Sequence, residues 1–329
     1  TAPLDFPLPG MSDVMPYASS VFSRMDSTQV AAYRCAWRDH LRRVVDAVRP
    51  DVIHAHHAWI VASTIKDVAG TIPVVTHSHA TGLRQMALCP RLGEAVRRDL
   101  VRNECFLALH AAHAHAIVDA LRIPASRVHV VGAGYREELV HARGRTRSGG
   151  EDLLYVGKYS RAKGLPWLLD AVERLATRRP GLRLHIAGSG EGAEASEILS
   201  RMRSMGAGRV VLHGQLAQDD LARLMRRMDV FVLPSLYEGL PLVIVEAVAS
   251  GLDAVCTDLP AVREDLAPHL GDALRLVAPP RLRGVDEPVE EDLPAFVDRL
   301  ESALTEGLAS PTDREGPALE AFTWHAVFA

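Results

Sequence analysis

The sequence predicts an α/β protein made of two doubly wound, parallel-sheet domains, and three observations carry that prediction. Apolar runs of strand length alternate with amphipathic helical stretches through both halves of the chain, which is the pattern of parallel strands sandwiched between helix layers. A length of 329 residues favours two cores over one. Between the halves, residues 144–150 are polar and glycine-rich, as an interdomain linker would be. We therefore expect a first domain over 1–145, a second over 146–310, and a C-terminal segment over 311–329.

Taken in order, residues 1–27 are rich in Pro, Ser and Met without period, and read as an irregular loop. Trp37, Leu41, Val44, Val45 and Val48 then recur at helical spacing, flanked by Arg38, Arg42 and Arg49, and predict an amphipathic helix. Its basic flank reads as a solvated side, with peripheral contact to acidic lipid as the alternative. After Pro50 come a strand at Val52 and Ile53, a helix near 58–69, a strand at Val74 and Val75, and one long helical region over 84–112. Short apolar runs at 116–118 and 128–131 complete the first half. The second half predicts strands near 153–156, 183–187, 209–212, 229–233 and 254–257, separated by helices near 165–177, 191–204, 218–227 and 241–250.

Composition excludes several classes. A formal net charge of -4 and the lack of any basic recognition motif argue against a nucleic-acid partner. Cys35, Cys89, Cys105 and Cys256 form no C-x-x-C pair, so neither a disulfide framework nor a zinc ribbon is expected, and a reduced, cytoplasmic setting fits. No apolar run approaches the roughly 18 residues of a membrane span, which argues against integral membrane association.

The chemistry concentrates in residues 233–246. A buried strand ends at Leu233, Glu238 falls in the following turn, and Pro241 stands where a helix can begin, putting Glu246 on that helix's second turn. The backbone N–H groups of Gly239, Leu240 and Leu242 would face an anion such as a diphosphate at the helix start, with a carboxylate on either side. The only lysines are Lys66, Lys158 and Lys163, and two of the three share the loop after the 153–156 strand. Residues 188–193 satisfy G-x-G-x-x-G/A through Gly188 and Gly190. That motif alone suggests a nicotinamide dehydrogenase, but it follows the domain's second strand, and the next strand ends in His213 and Gly214 where an acidic ribose ligand would be needed. His54, His56 and His57 cluster near one strand end and His77 and His79 near the next. No carboxylate or cysteine completes a familiar ligand spacing, so no metal is expected. His110, His113 and His115 read as structural.

Five segments in order resemble the retaining glycosyltransferases of family 4: residues 51–56, 73–79, 153–164, 184–191 and 210–215, leading to the E-x7-E pair Glu238 and Glu246. The resemblance covers about four-fifths of the chain and implies a GT-B fold, two Rossmann-like domains facing across a cleft. It implies transfer of a hexose from a nucleoside-diphosphate sugar, most simply UDP-linked, to a small hydroxylated acceptor, with no cofactor besides that co-substrate and no metal. The alternatives are a sugar-nucleotide epimerase or hydrolase on the same fold, or a non-catalytic sugar-nucleotide-binding protein. Residue by residue, the resemblance gives Glu246 the ribose diol, Glu238 the hydroxyls of the transferred sugar, and Lys158 and Lys163 the leaving diphosphate. His79 matches the histidine that contacts the donor sugar, with His77 as its rival. Gly188 and Gly190 let a loop approach the nucleotide, the backbone of His213, Gly214 and Leu216 meets the base, and residues 239–242 meet the diphosphate. The sequence departs from the family at Lys158, where arginine is commoner, and at Asp253, where proline is. The family's opening strand, glycine-rich loop and helix find no counterpart in residues 1–50, so the natural product is expected to extend before Thr1. The final helix, begun at Phe322 and Trp324, looks cut short.

Overall fold

The computed structural model describes residues 4–12, 15, 17–146, 149, 151–309 and 319–328. It divides into two compact units, Thr1–Gly132 and Ala133–Ala329.

In the first unit, helix α1 (Ser27–Val48) starts at a reciprocal cap. The Gln29 N–H donates to the Asp26 carboxylate at 2.8 Å, and the Asp26 N–H donates to Gln29 Oε1 at 3.1 Å. Tyr33, Trp37 and Leu41 of this helix join the core, whereas Val44 and Val48 stay exposed, so the apolar stripe is shorter than the sequence suggested. The stretch read as irregular contains a turn at Phe22–Arg24 whose Phe22 is buried edge-on against Tyr33 and Trp59. A parallel sheet follows, in the order β1 (Ile53–His56), β2 (Val74–His77), β3 (Cys105–Ala108), β4 (Val128–Val130).

The helices of this unit are α2 (Ile60–Ala69), α3 (Thr81–Leu88), α4 (Pro90–Leu100) and α5 (Ala111–Leu121). The single helical region expected over 84–112 is thus two helices and a strand. Pro90, with no N–H to give, ends one helix and opens the next at its first position. β3 is too short to show a period of its own. The run at 116–118 lies inside α5, where Ala111, Ala112, Ala114 and Ala116 outweigh the β-branched pair Ile117 and Val118.

In the second unit the expected alternation appears element by element: β5 (Asp152–Val156), α6 (Leu165–Ala176), β6 (Arg183–Ala187), α7 (Ala193–Ser204), β7 (Val210–Gly214), α8 (Gln218–Met225), β8 (Val230–Leu233), α9 (Leu242–Ala249) and β9 (Asp253–Thr257). Beyond the elements foreseen are α10 (Ala267–Leu270), β10 (Leu274–Val277), a hairpin of β11 (Leu282–Arg283) and β12 (Glu287–Pro288), and α11 (Leu293–Ala309), whose Phe296 packs on Trp167. Residues 133–146 belong with this unit. Tyr135 donates its N–H to the Phe322 carbonyl at 2.8 Å, and Trp324, opening α12 (Trp324–Phe328), lies over Gly134 so closely that a Cβ there would sit 2.7 Å from the indole.

The six-stranded parallel sheet runs β10-β9-β8-β5-β6-β7. Every residue of β8 and β9 is buried, as is nearly all of β5. The chain leaves β5 toward β6 on one side and returns as β8 on the other, so the loops after β5 and β8 diverge at a topological switch point, the place where open α/β sheets hold ligands.

Candidate functional site

At that switch point the loop after β5 carries Lys158 and Lys163, and the loop after β8 carries Glu238. Lys163 Nζ lies 2.7 Å from Glu238 Oε1, with the two side chains 27% and 13% exposed. The close approach depends on Gly164, at φ +71°, where a Cβ would fall 1.9 Å from the Pro234 carbonyl oxygen. The sequence placed both residues in one site without pairing them; in the structure each charge is met by the other. Lys158 is half-buried in the same loop, whose turn is held by Tyr155, donating its hydroxyl to the Lys158 carbonyl at 2.7 Å.

The loop after β6 holds Gly188 and Gly190. Gly188 has φ +143°, its N–H donates to the Gly214 carbonyl at 2.7 Å, and a Cβ would meet the Gly157 oxygen at 1.9 Å. Glycine is thus demanded here by backbone packed on backbone. The hydroxyls of Ser189 and Ser235, in the loops after β6 and β8, are buried without a hydrogen-bond partner among the described residues. The sequence reading passed over both, since lone serines in polar loops carry no signal; buried and unsatisfied, they are donors and acceptors suited to a polar ligand.

His213 is the penultimate residue of β7 and is half-buried. It lies 2.9 Å from His185 Nδ1, His185 Nε2 lies 3.2 Å from Asp152 Oδ1, and Asp152 pairs with Arg183 at 2.7 Å. Burial, then the neighbouring His185 and Arg227, lowers the His213 pKa. Gly214 and Leu216 follow, half-buried.

Helix α9 begins at Leu242, one residue later than expected, with Pro241 as its capping residue. The Leu242 N–H donates to the Leu240 carbonyl at 2.9 Å, so it is removed from the set of helix-start donors assigned to a diphosphate. Glu246, on the second turn, lines a cavity of about 90 Å³ with Arg136, Val140, Gln218, Leu221 and Met225. Among the described residues no hydrogen bond or ion pair meets its carboxylate, and burial raises its pKa. Arg136, lying before the expected second domain, was not foreseen.

In the first unit, five histidines gather where β1 and β2 end. His54 and His56 alternate onto one side of β1, His56 is in register with His77, and His79 follows β2. His56 Nδ1 and His79 Nε2 are 2.8 Å apart with rings stacked at 9°, and the His77 and His79 rings stand 4.4 Å apart. His57 (φ +66°) and Ala80 (φ +64°) both take left-handed backbone, a strain that concentrates at functional sites. Burial, then the crowd of His77, His57, His56 and His113, pushes the His79 pKa down to about 3. Burial, then His56, His54 and His57, pushes His77 down to about 4. Spacing grouped His54 and His56 with His57; the parallel register instead brings His77 to His54 and His56, with ligand atoms all within 4.8 Å. His113 is tied into the fold: the Leu109 N–H donates to its Nδ1 at 3.2 Å, leaving Nε2–H for Ser78 Oγ at 2.9 Å. His110 caps α5.

These shifts fix a pH dependence. His77, His79 and His113 are neutral in the folded chain but titrate near 6.5 when unfolded. Below about pH 6.5 the unfolded state takes up protons that the folded state refuses, so stability falls with pH, the loss completing near the folded values. Thermal melts should therefore drop between pH 6.5 and 5, above the carboxylate range. A constant midpoint across that window would contradict the burial of these rings.

Residues 13–134 match the family described as Glycosyl transferase 4-like domain, and residues 150–290 match Glycosyl transferases group 1. The chain is 32% identical over 280 residues to a glycogen synthase of Mycobacterium tuberculosis, covering 80% of this chain and 66% of that protein, just under two thirds of its length. It is 28% identical over 230 residues to a GDP-mannose:cellobiosyl-diphosphopolyprenol alpha-mannosyltransferase of Xanthomonas campestris, covering 66% of this chain and 58% of the relative. Among solved structures, the fold is similar to an alpha,alpha-trehalose-phosphate synthase (UDP-forming) from Burkholderia xenovorans in complex with glucose-6-phosphate. That likeness has a TM-score of 0.69 at 14% identity and covers 92% of this chain and 75% of the other.

Proposed function

The chain belongs to the family 4, group 1 glycosyltransferases and has their GT-B, Rossmann-like fold, and from that premise we propose that it moves a hexose from a nucleoside-diphosphate sugar to a small hydroxylated acceptor with retention of configuration and without a metal. The observation that carries the proposal is the Lys163–Glu238 pair at the switch point, together with a half-buried Glu246 carboxylate on the following helix that has no partner among the described residues. A donor would give Glu246 a partner and replace the Lys163–Glu238 contact with contacts of its own. Its ribose hydroxyls donate to Glu246, its diphosphate takes Lys163 and Lys158, and Glu238, released from Lys163, accepts from the sugar hydroxyls. The diphosphate leaves as the acceptor oxygen attacks the same face of the sugar; the leaving phosphate oxygen takes the acceptor proton, so no side-chain nucleophile is required. Lysine charge and orientation then supply the rate enhancement.

UDP is the first base to test. One structural neighbour is a UDP-forming synthase and one relative a GDP-mannose-dependent transferase, and the base segment at 213–216 is proposed to read the base through its backbone. The test is a panel of UDP- and GDP-sugars read by thermal shift, followed by turnover with hydroxylated acceptors and the product anomer by NMR, with and without EDTA. A retained anomer formed at equal rate in EDTA is expected. An inverted product, nucleotide release without glycosylated acceptor, or activity restored only by a divalent ion would refute the reading. His79→Ala should cut turnover with nucleotide affinity nearly intact, since its partner is the sugar. The same phenotype in His77→Ala, and not in His79→Ala, would move the assignment to His77.

A further inference from the structure

We propose that His54, His56 and His77 form a binding site for a divalent transition cation of the Zn²⁺ class. The three imidazoles come from two neighbouring strands, and their ligand atoms lie within 4.8 Å of one another. Tetrahedral Zn²⁺ with Zn–N of about 2.0–2.1 Å needs nitrogens about 3.3 Å apart, a closure that small ring rotations supply. Hydrogen bonding distinguishes His54 and His77 from the other histidines beside them. His57 Nδ1 is engaged by Thr81 Oγ1 at 3.0 Å and His79 Nε2 by His56. His54 has no hydrogen-bond partner among the described residues, and His77 Nε2 is buried with none. A buried ring nitrogen left unsatisfied is a cost that a bound ion removes.

The second shell is also in place. His56 binding through Nε2 carries its proton on Nδ1, which then donates to His79 Nε2 at the observed 2.8 Å. That bond fixes both tautomer and ring orientation, as metal-bound histidines require. Both His54 and His56 are exposed. An all-imidazole donor set favours Zn²⁺, Co²⁺ or Ni²⁺ and disfavours Mg²⁺, whose preference is for oxygen.

The test is calorimetric titration of the chelator-treated full chain with Zn²⁺ and, separately, Mg²⁺, in wild type, His54→Ala, His77→Gln and the exposed control His129→Ala. One Zn²⁺ per chain is expected, weakened at least roughly tenfold in His54→Ala and His77→Gln and unchanged in His129→Ala, with no Mg²⁺ binding. Co²⁺ should give the visible bands of a tetrahedral complex, lost in His54→Ala. His54 takes no part in the proposed transfer, so His54→Ala should keep wild-type turnover while losing the ion. Absence of Zn²⁺ binding, or Zn²⁺ affinity unchanged in a folded His54→Ala, would overturn the site while leaving the transferase reading standing.

Discussion

Lys163→Ala is expected to lower turnover by about 10²- to 10³-fold, the usual loss when one preorganised electrostatic group is removed from developing charge. Lys163 Nζ stands 2.7 Å from Glu238 in a largely shielded setting, where its charge is screened less than at an open surface. Its removal withdraws the cation proposed for the leaving diphosphate and leaves Glu238, 13% exposed, without its partner. Two variants separate these effects. Lys163→Arg keeps the charge and should recover most of the rate, whereas Glu238→Gln keeps Lys163 and should weaken sugar recognition. Single-turnover rates in folded proteins decide the matter: equal rates for Lys163→Ala and Lys163→Arg would remove Lys163 from the leaving group.

Glu246→Ala should reduce donor affinity by ten- to a hundred-fold, roughly, the worth of a charge-assisted hydrogen bond, while leaving thermal stability unchanged or improved. The two halves of this prediction share one cause. The carboxylate is half-buried against α8 with no hydrogen-bond donor among the described residues, so in the empty protein it contributes desolvation cost and little else. Only a ligand repays that cost. Calorimetry with the nucleotide alone and a thermal melt test both halves. Unchanged affinity would remove the ribose assignment, and a large loss of stability would show that Glu246 serves the fold instead.

The second unit was legible because its central strands β5, β8 and β9 are buried almost throughout, so that their apolar runs coincide with elements. The first unit was less so. β3 is four residues between helices, and α5 is an alanine-rich helix whose Ile117 and Val118 imitate a strand. β10 alternates weakly, with Leu276 exposed. The site shows the same division. Charged residues at strand ends could be located from sequence because their positions relative to buried runs are visible there. Their partners could not: the Lys163–Glu238 pair, the meeting of His77 with His54 and His56, and the His213–His185–Asp152 chain arise from strand order and register, which no local pattern encodes. The Leu242 N–H was misassigned for a related reason, since a local turn to Leu240 captured it.

The position of β5 also governs how the native state forms and decays. Its neighbour β6 comes next in the chain, but its other neighbour β8 arrives much later; the bond joining Asp152 to Asp229 spans 77 residues, and Lys163 and Glu238 are 75 apart. Closing so long a loop spends chain entropy before any contact repays it, which makes this pairing a slow event in folding. The proposed donor site is not assembled until that event is complete. A donor therefore finds nothing to hold on the way to the folding barrier and acts only after it, so it prolongs the native lifetime by slowing unfolding without hastening refolding.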